Sequence, residues 1–130
     1  MIREVRRGEA AKFIEKSDEF YHSALENYQK GRFNAASFDA AQSIILANDA
    51  FCIALLGRRA SKTHNEAIQL HVQAALGGES KKEILAEALD KRNEFGYTES
   101  SSTEKEASML LIKSKRFIDW ATNKSKNVRY

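Results

Sequence analysis

Residues 33–57, FNAASFDAAQSIILANDAFCIALLG, carry only two charges, Asp39 and Asp49, and no glycine before the last position. Such a stretch reads as one long helix, about 40 Å at a rise of about 1.5 Å per residue. Seven alanines let neighbouring helices come close, while Phe38, Ile44, Ile45, Phe51, Ile53, Leu55 and Leu56 supply volume around most of the circumference. A helix apolar nearly all round has to be buried, so the remaining elements must be laid around it.

One stripe of this helix is different. Asp39, Gln42, Leu46, Asp49 and Ile53 follow one another at steps of three and four and share a face. Two carboxylates and an amide on a buried helix need partners. Either Asp39 sits near an exposed end and a basic neighbour satisfies Asp49, or the stripe faces a polar cleft or a second subunit.

The flanking sequence supplies further helices. Over 8–30 the positions Phe13, Ile14, Ser17, Tyr21, Ala24, Leu25 and Tyr28 keep a helical period, and Gly31 is a left-handed cap leading almost at once into the central helix. So short a link predicts an antiparallel hairpin of two long helices. After the basic loop RRASKT, Thr63 and Glu66 have the spacing of a capping box for a third helix ending at Gly77-Gly78. Ser80 and Glu83 repeat it for a fourth helix, carrying Ile84, Leu85, Ala88, Leu89 and Phe95 and broken by Gly96. Thr103 and Glu106 open a fifth, with Ala107, Leu110, Leu111, Ser114, Phe117, Ile118 and Ala121 on one face and Trp120 just off it. With no proline in 130 residues and little that favours strands, the expectation is an all-α, five-helix up-and-down bundle. It forms a single domain over 1–130, with its core at about 10–121 and a basic tail at 122–130.

The net charge of +3 and pI near 9.0 permit phosphate contact but fall short of a nucleic-acid-binding coat. The single cysteine, Cys52, lies in the apolar helix and reads as a core residue in a reducing cytoplasm. The first residues lack an apolar run of signal-peptide length, and the aspartates, asparagines and Gln42 of the central helix argue against a membrane, so a soluble cytoplasmic protein is expected. There is no Gly-rich phosphate loop, paired-cysteine zinc motif or nucleophile elbow. His64 and His71 are seven residues apart, too far to share a metal as an i, i+4 pair would, and His22 reads as solvent-facing. No cofactor and no metal are expected.

Arg92 interrupts the buried face of the fourth helix, three residues after Leu89 and three before Phe95, so it points toward the interior. It either snorkels past its neighbours or pairs with Asp49 or Asp39, or it is an anion-binding guanidinium in a cleft.

The order of these segments, two long helices with an alanine-rich second one, a Thr63-His64-Asn65 helix start, a helix ending in KRNEFGY and a final amphipathic helix, resembles the HEPN domain family, in particular its small stand-alone prokaryotic branch. The likeness runs from about Ala10 to Ala121. The family signature is an Arg, often followed by a polar residue, then a His after a few positions. Arg92 and Asn93 stand in register, but Tyr97 occupies the place of the His.

The resemblance implies a homodimer whose Arg segments meet at a shared cleft. In active members that cleft cuts RNA without metal, through attack of the ribose 2′-hydroxyl on the adjacent phosphate. Arg92 and Asn93 are able to hold a phosphate, whereas a phenol, which ordinarily ionises near pH 10, is a poor substitute for imidazole as a general base. The leading expectation is therefore a nucleotide- or RNA-phosphate-binding dimer with weak or lost cleavage. Its cleft would be lined by Arg92, Asn93, Tyr97, Asp49 and His64. It would be the partner of a minimal nucleotidyltransferase in a toxin–antitoxin pair, with Tyr97 as a possible acceptor of nucleotide transfer. No catalytic residue is assigned; Arg92, Tyr97 and His64 are the candidates. The alternatives are an active metal-independent ribonuclease, with His64 reaching the cleft, and a helical interaction protein in which Arg92 and Asp49 form a buried pair. Arg59 and His64 also match the Arg-to-His spacing, but between the second and third helices, which reads as an accidental match.

Overall fold

A computed structural model describes residues 2–60 and 63–126. Two residues of the basic loop, 61–62, and the end of the basic tail, 127–130, lie outside it. The elements run β1 (Ile2–Glu4), α1 (Ala10–Gln29), α2 (Phe33–Leu56), β2 (Arg58–Ala60), α3 (His64–Ala75), α4 (Lys82–Tyr97) and α5 (Glu104–Lys126), with a 3-10 turn at Arg7–Glu9 before α1. The architecture is an all-α bundle of five helices with one short two-stranded ribbon among the described residues.

α2 is the axis. It touches each of the other four helices, and α1 and α5 also pack on one another. Residues 46–54 are buried without interruption, and the main core gathers Ile44, Phe51, Leu70, Leu85, Phe117 and Ile118 around it. By length and composition α2 passes for a membrane span, with mean hydropathy 1.4, but 72% of that window is buried inside the fold. The apolar surface that would suit lipid is covered by the other helices. Cys52 is among the buried residues, and burial, reinforced by the Asp49 charge, pushes its thiol above the ordinary range.

Gly31 (φ 76°) ends α1 in a Schellman turn: the Arg32 N–H donates to Asn27 O at 2.8 Å and the Gly31 N–H to Tyr28 O at 3.0 Å. The reversal is immediate, and α1 and α2 lie side by side as the predicted hairpin. Three serines fasten these helices to α5 in the interior. Ser17 Oγ donates to Ser43 O at 2.6 Å, Ser43 Oγ donates to Ala40 O at 2.6 Å, and the Ser43 and Ser114 hydroxyls are hydrogen-bonded to each other. The Thr63–Glu66 and Thr103–Glu106 capping boxes form as the spacing predicts.

Three local expectations fail. The N-terminal residues and the start of the basic loop pair as an antiparallel ribbon, Ile2 opposite Ala60 and Glu4 opposite Arg58. Gly57 (φ 67°) turns the chain after α2, and the Val5 N–H bonds its carbonyl at 2.7 Å, which brings the two ends together. Ser80 does not cap α4 through a box with Glu83; the helix starts two residues later, and Ser80 Oγ accepts the Lys82 N–H at 3.2 Å. Gly96 does not break α4 either. The helix continues to Tyr97, and the glycine is where the Phe38 ring comes closest, 2.5 Å from the position a Cβ would take.

Candidate functional site

A hollow of about 350 Å³ opens between the middle of α2, the strand β2, the start of α3 and the second half of α4. The α2 face contributes Gln42, Leu46 and Asp49, the central part of the polar stripe, so that stripe faces a polar cleft within the protomer. The ends of the stripe do not take part. Ile53 is fully buried beside Ala10 and Ala54, and Asp39 accepts hydrogen bonds from Ser23 Oγ at 2.7 Å and Asn27 Nδ2 at 3.2 Å.

Arg92 lines the hollow because Ala88, Leu89 and Phe95 are all buried and carry its side of α4 inward. Its guanidinium is half-buried, and Nη1 donates to Gln42 Oε1 at 3.4 Å. Its Nε is buried with no acceptor among the described residues. Asn93 and His64 are exposed at the rim, and His64 Nδ1 lies 3.7 Å from Asp90 Oδ1.

Asp49 is buried, 7% exposed, at the floor. Its ion-pair partner is Arg59, 3.7 Å away, and not Arg92 or any residue of α4. Burial pushes the carboxyl up to about 7 against the opposing pull of Arg59 and Arg92. A carboxyl held near neutrality between two arginines can gain or lose a proton close to pH 7, which an exposed aspartate does not do.

Arg59, whose Arg-to-His spacing with His64 reads in the sequence as accidental, lines the hollow together with that histidine. Its segment reaches Asp49 as strand β2, which is paired with β1. The guanidinium lies 4.8 Å from the centre of the Phe13 ring, and its Nε too is buried without an acceptor among the described residues. The available signal was the buried Asp49 itself, which needed a cation that the helix could not supply.

Tyr97 is not in the hollow. Five residues past Arg92 on one helix, it is turned about 140° away. It lies 74% exposed, edge-on to Phe38 at 6.1 Å, above a separate groove with Asn34, Asp39 and Gly96. The expected set therefore divides: Arg92, Asn93, Asp49 and His64 come together, and Tyr97 stands apart.

The other histidines have structural partners. His22 is exposed, with Nδ1 2.8 Å from Asp18 O. His71 is wholly buried among Phe51, Phe117 and Trp120, and burial lowers its imidazole to about 4. Among the described residues no three His, Cys, Asp or Glu side chains converge as a metal-binding group.

Compared with curated proteins, the chain matches none. A family model described as the HEPN domain matches residues 10–125, from the first residue of α1 almost to the end of α5. Because that match takes in all five helices and the hollow they frame, the chain belongs to the HEPN domain family, which ties it to nucleotide- or RNA-related function.

Proposed function

We propose that the protein is a cytoplasmic HEPN homodimer that binds a nucleotide or RNA phosphate, that it is the partner of a minimal nucleotidyltransferase in a toxin–antitoxin pair, and that its own RNA cleavage is weak or lost. The observation that carries this reading is the Arg92 guanidinium, which lines a solvent-accessible hollow with one long contact, Nη1 to Gln42 Oε1 at 3.4 Å, and has Asn93 beside it at the rim. A planar donor set of this kind suits phosphate oxygens. Weak cleavage follows from Tyr97, which has no imidazole and does not share the hollow with Arg92.

The exposure of Tyr97 supports the acceptor role. In nucleotide transfer its phenol oxygen would bond to the α-phosphorus of a nucleoside triphosphate, pyrophosphate would leave, and the phenolic proton would pass to solvent. Mass spectrometry after co-expression with a minimal nucleotidyltransferase is expected to show one added nucleotide on Tyr97; an unmodified tyrosine would remove that part of the proposal.

The binding reading is tested with Arg92→Met, using fluorescence anisotropy on labelled single-stranded RNA and light scattering for mass. The expected result is a folded dimer with binding reduced at least tenfold, since a charge-assisted contact contributes about 1.5–3 kcal/mol. Loss of the dimer and the fold instead supports the purely structural role of Arg92.

One observation favours a second reading, an active metal-independent ribonuclease: His64 lines the same hollow as Arg92. An imidazole there is suited to take the 2′-hydroxyl proton during attack on the phosphate. Purified protein that leaves single-stranded RNA intact from pH 5 to 9 eliminates this alternative.

A further inference from the structure

Two arginines reach the hollow from different elements, and each buries its Nε without an acceptor among the described residues. Burying such donors unpaired is costly. What they do contact is long: Gln42 Oε1 is 3.4 Å from Arg92 Nη1, and Asp49 Oδ2 is 3.7 Å from Arg59 Nη2, beyond hydrogen-bond length. Arg59 is nevertheless held in place, its guanidinium seated on Phe13 and its side chain only 29% exposed. The volume of the hollow lies within the range of small-ligand sites.

We propose that Arg59 and Arg92 together grip one phosphodiester group of the nucleotide or RNA ligand, and that Asp49 takes up a proton as that group enters. The inference rests on the hollow being the phosphate site proposed above. Two guanidiniums bring two positive charges to the hollow, and an ionised Asp49 cancels one of them where the diester has to bind. Without a proton on Asp49, two anions would stand side by side in a part-buried space, where like charges repel strongly. Burial has already brought the carboxyl close to neutral, so the additional negative charge tips it to the acid form. The proton comes from the buffer, and no covalent bond other than the O–H changes.

The groups around Asp49 are few. β2 supplies Arg59, α4 supplies Arg92, and α3 supplies His64 across the hollow. On α2 itself Cys52 is kept as a neutral thiol by burial and by Asp49. From α1 the Phe13 ring lies under Arg59, with Lys16 Nζ 5.6 Å from the same ring. His64 is the other titratable side chain of the hollow and serves as the control.

The test is calorimetric titration with a 2′-O-methyl tetraribonucleotide lacking terminal phosphates, whose diesters keep one charge each from pH 5 to 9 and resist cleavage. For the unaltered protein, binding should tighten about tenfold from pH 8 to pH 6, as expected for one linked group near pH 7. Titrations in buffers of different ionisation enthalpy should show close to one proton taken up per site at pH 8. Asp49→Asn should abolish both the pH dependence and the uptake, His64→Gln should preserve them, and Arg59→Gln should weaken binding about tenfold at pH 6, where Asp49 is protonated, in a folded protein. Proton uptake that persists in Asp49→Asn, no uptake by the unaltered protein, or Arg59→Gln binding as tightly as the parent overturns the proposal. A folded parent protein that does not bind the oligonucleotide at all overturns the phosphate reading of the hollow itself. If Asp49→Asn does not fold, the proton count on the parent still decides.

Discussion

His71 Nδ1 lies 2.7 Å from Asn48 Oδ1, while its Nε2 accepts the Lys81 backbone N–H at 2.9 Å. Since the amide can only donate, Nδ1 carries the proton and donates to Asn48. One neutral imidazole thus ties α3 to the central helix and to the chain just ahead of α4. The same histidine stacks into the aromatic cluster of Phe51 and Trp120, so its two polar ends are satisfied inside an apolar surround.

Removing the acceptor should be costly. Asn48→Ala leaves a buried Nδ1–H unpaired and is expected to lower stability by about 2 kcal/mol, measured by urea denaturation at pH 7. An unchanged midpoint would mean that His71 finds another acceptor.

His71 also makes stability depend on pH. Its folded value of about 4 lies below the ordinary 6.5, so the unfolded chain binds more protons between these limits. The contribution is complete above about pH 6.5 and declines as pH falls toward 4, by up to about 3 kcal/mol. His71→Gln should remove that rise, so that stability falls as pH climbs from 4 to 6.5 through the uncompensated Asp49 contribution, whatever the substitution does at pH 7.

Asp49 acts with the opposite sign. Its folded value of about 7 lies above the ordinary 3.8, so the folded protein binds more protons between them and loses stability as pH rises through that window. Asp49→Asn should leave stability near that of the parent at pH 4 and exceed it by about 2 to 4 kcal/mol at pH 8, read from paired denaturation curves. In that variant the His71 slope, largely offset in the parent, should stand alone.

Gly96 and Phe38 should show a reversal of sign. A Cβ at position 96 would meet the Phe38 ring edge at 2.5 Å, so Gly96→Ala should destabilise the parent by about 1 kcal/mol. With Phe38→Ala already present the obstruction is gone, and the same substitution should stabilise α4 by about 0.5 to 1 kcal/mol through helix propensity. A double-mutant cycle by thermal or urea unfolding measures both.

The serine cluster predicts a smaller effect. Ser43→Ala removes the hydroxyl that joins Ser114 of α5 to the central helix and leaves Ser114 Oγ buried without that partner. A loss of about 1 to 2 kcal/mol is expected, visible as a shift of the denaturation midpoint with an unchanged slope.

Much of the fold was legible because helix burial is periodic along the chain. The seven positions assigned to the inner face of the last helix are the seven buried in α5, and both threonine capping boxes formed where their spacing put them. These are local facts, fixed by residues within a turn or two of each other. Gly96 was misread for the opposite reason: glycine in sequence signals a chain break, whereas its cause here is the ring of Phe38, fifty-eight positions earlier and reached only through packing of α2 on α4.

The candidate site divides along the same line. The burial of α2, the want of a local partner for Asp49 on it and the inward turn of Arg92 could all be read from the chain, because each follows from a single helix period. That Arg59 completes the hollow and that Tyr97 leaves it came out of the packing of distant segments. The first depends on β1 pairing with β2 across more than fifty residues of chain, and the second on which side of α4 meets the bundle. Charges that neutralise one another across distant segments leave no spacing to read, so their pairing appears only once the backbone has brought them together.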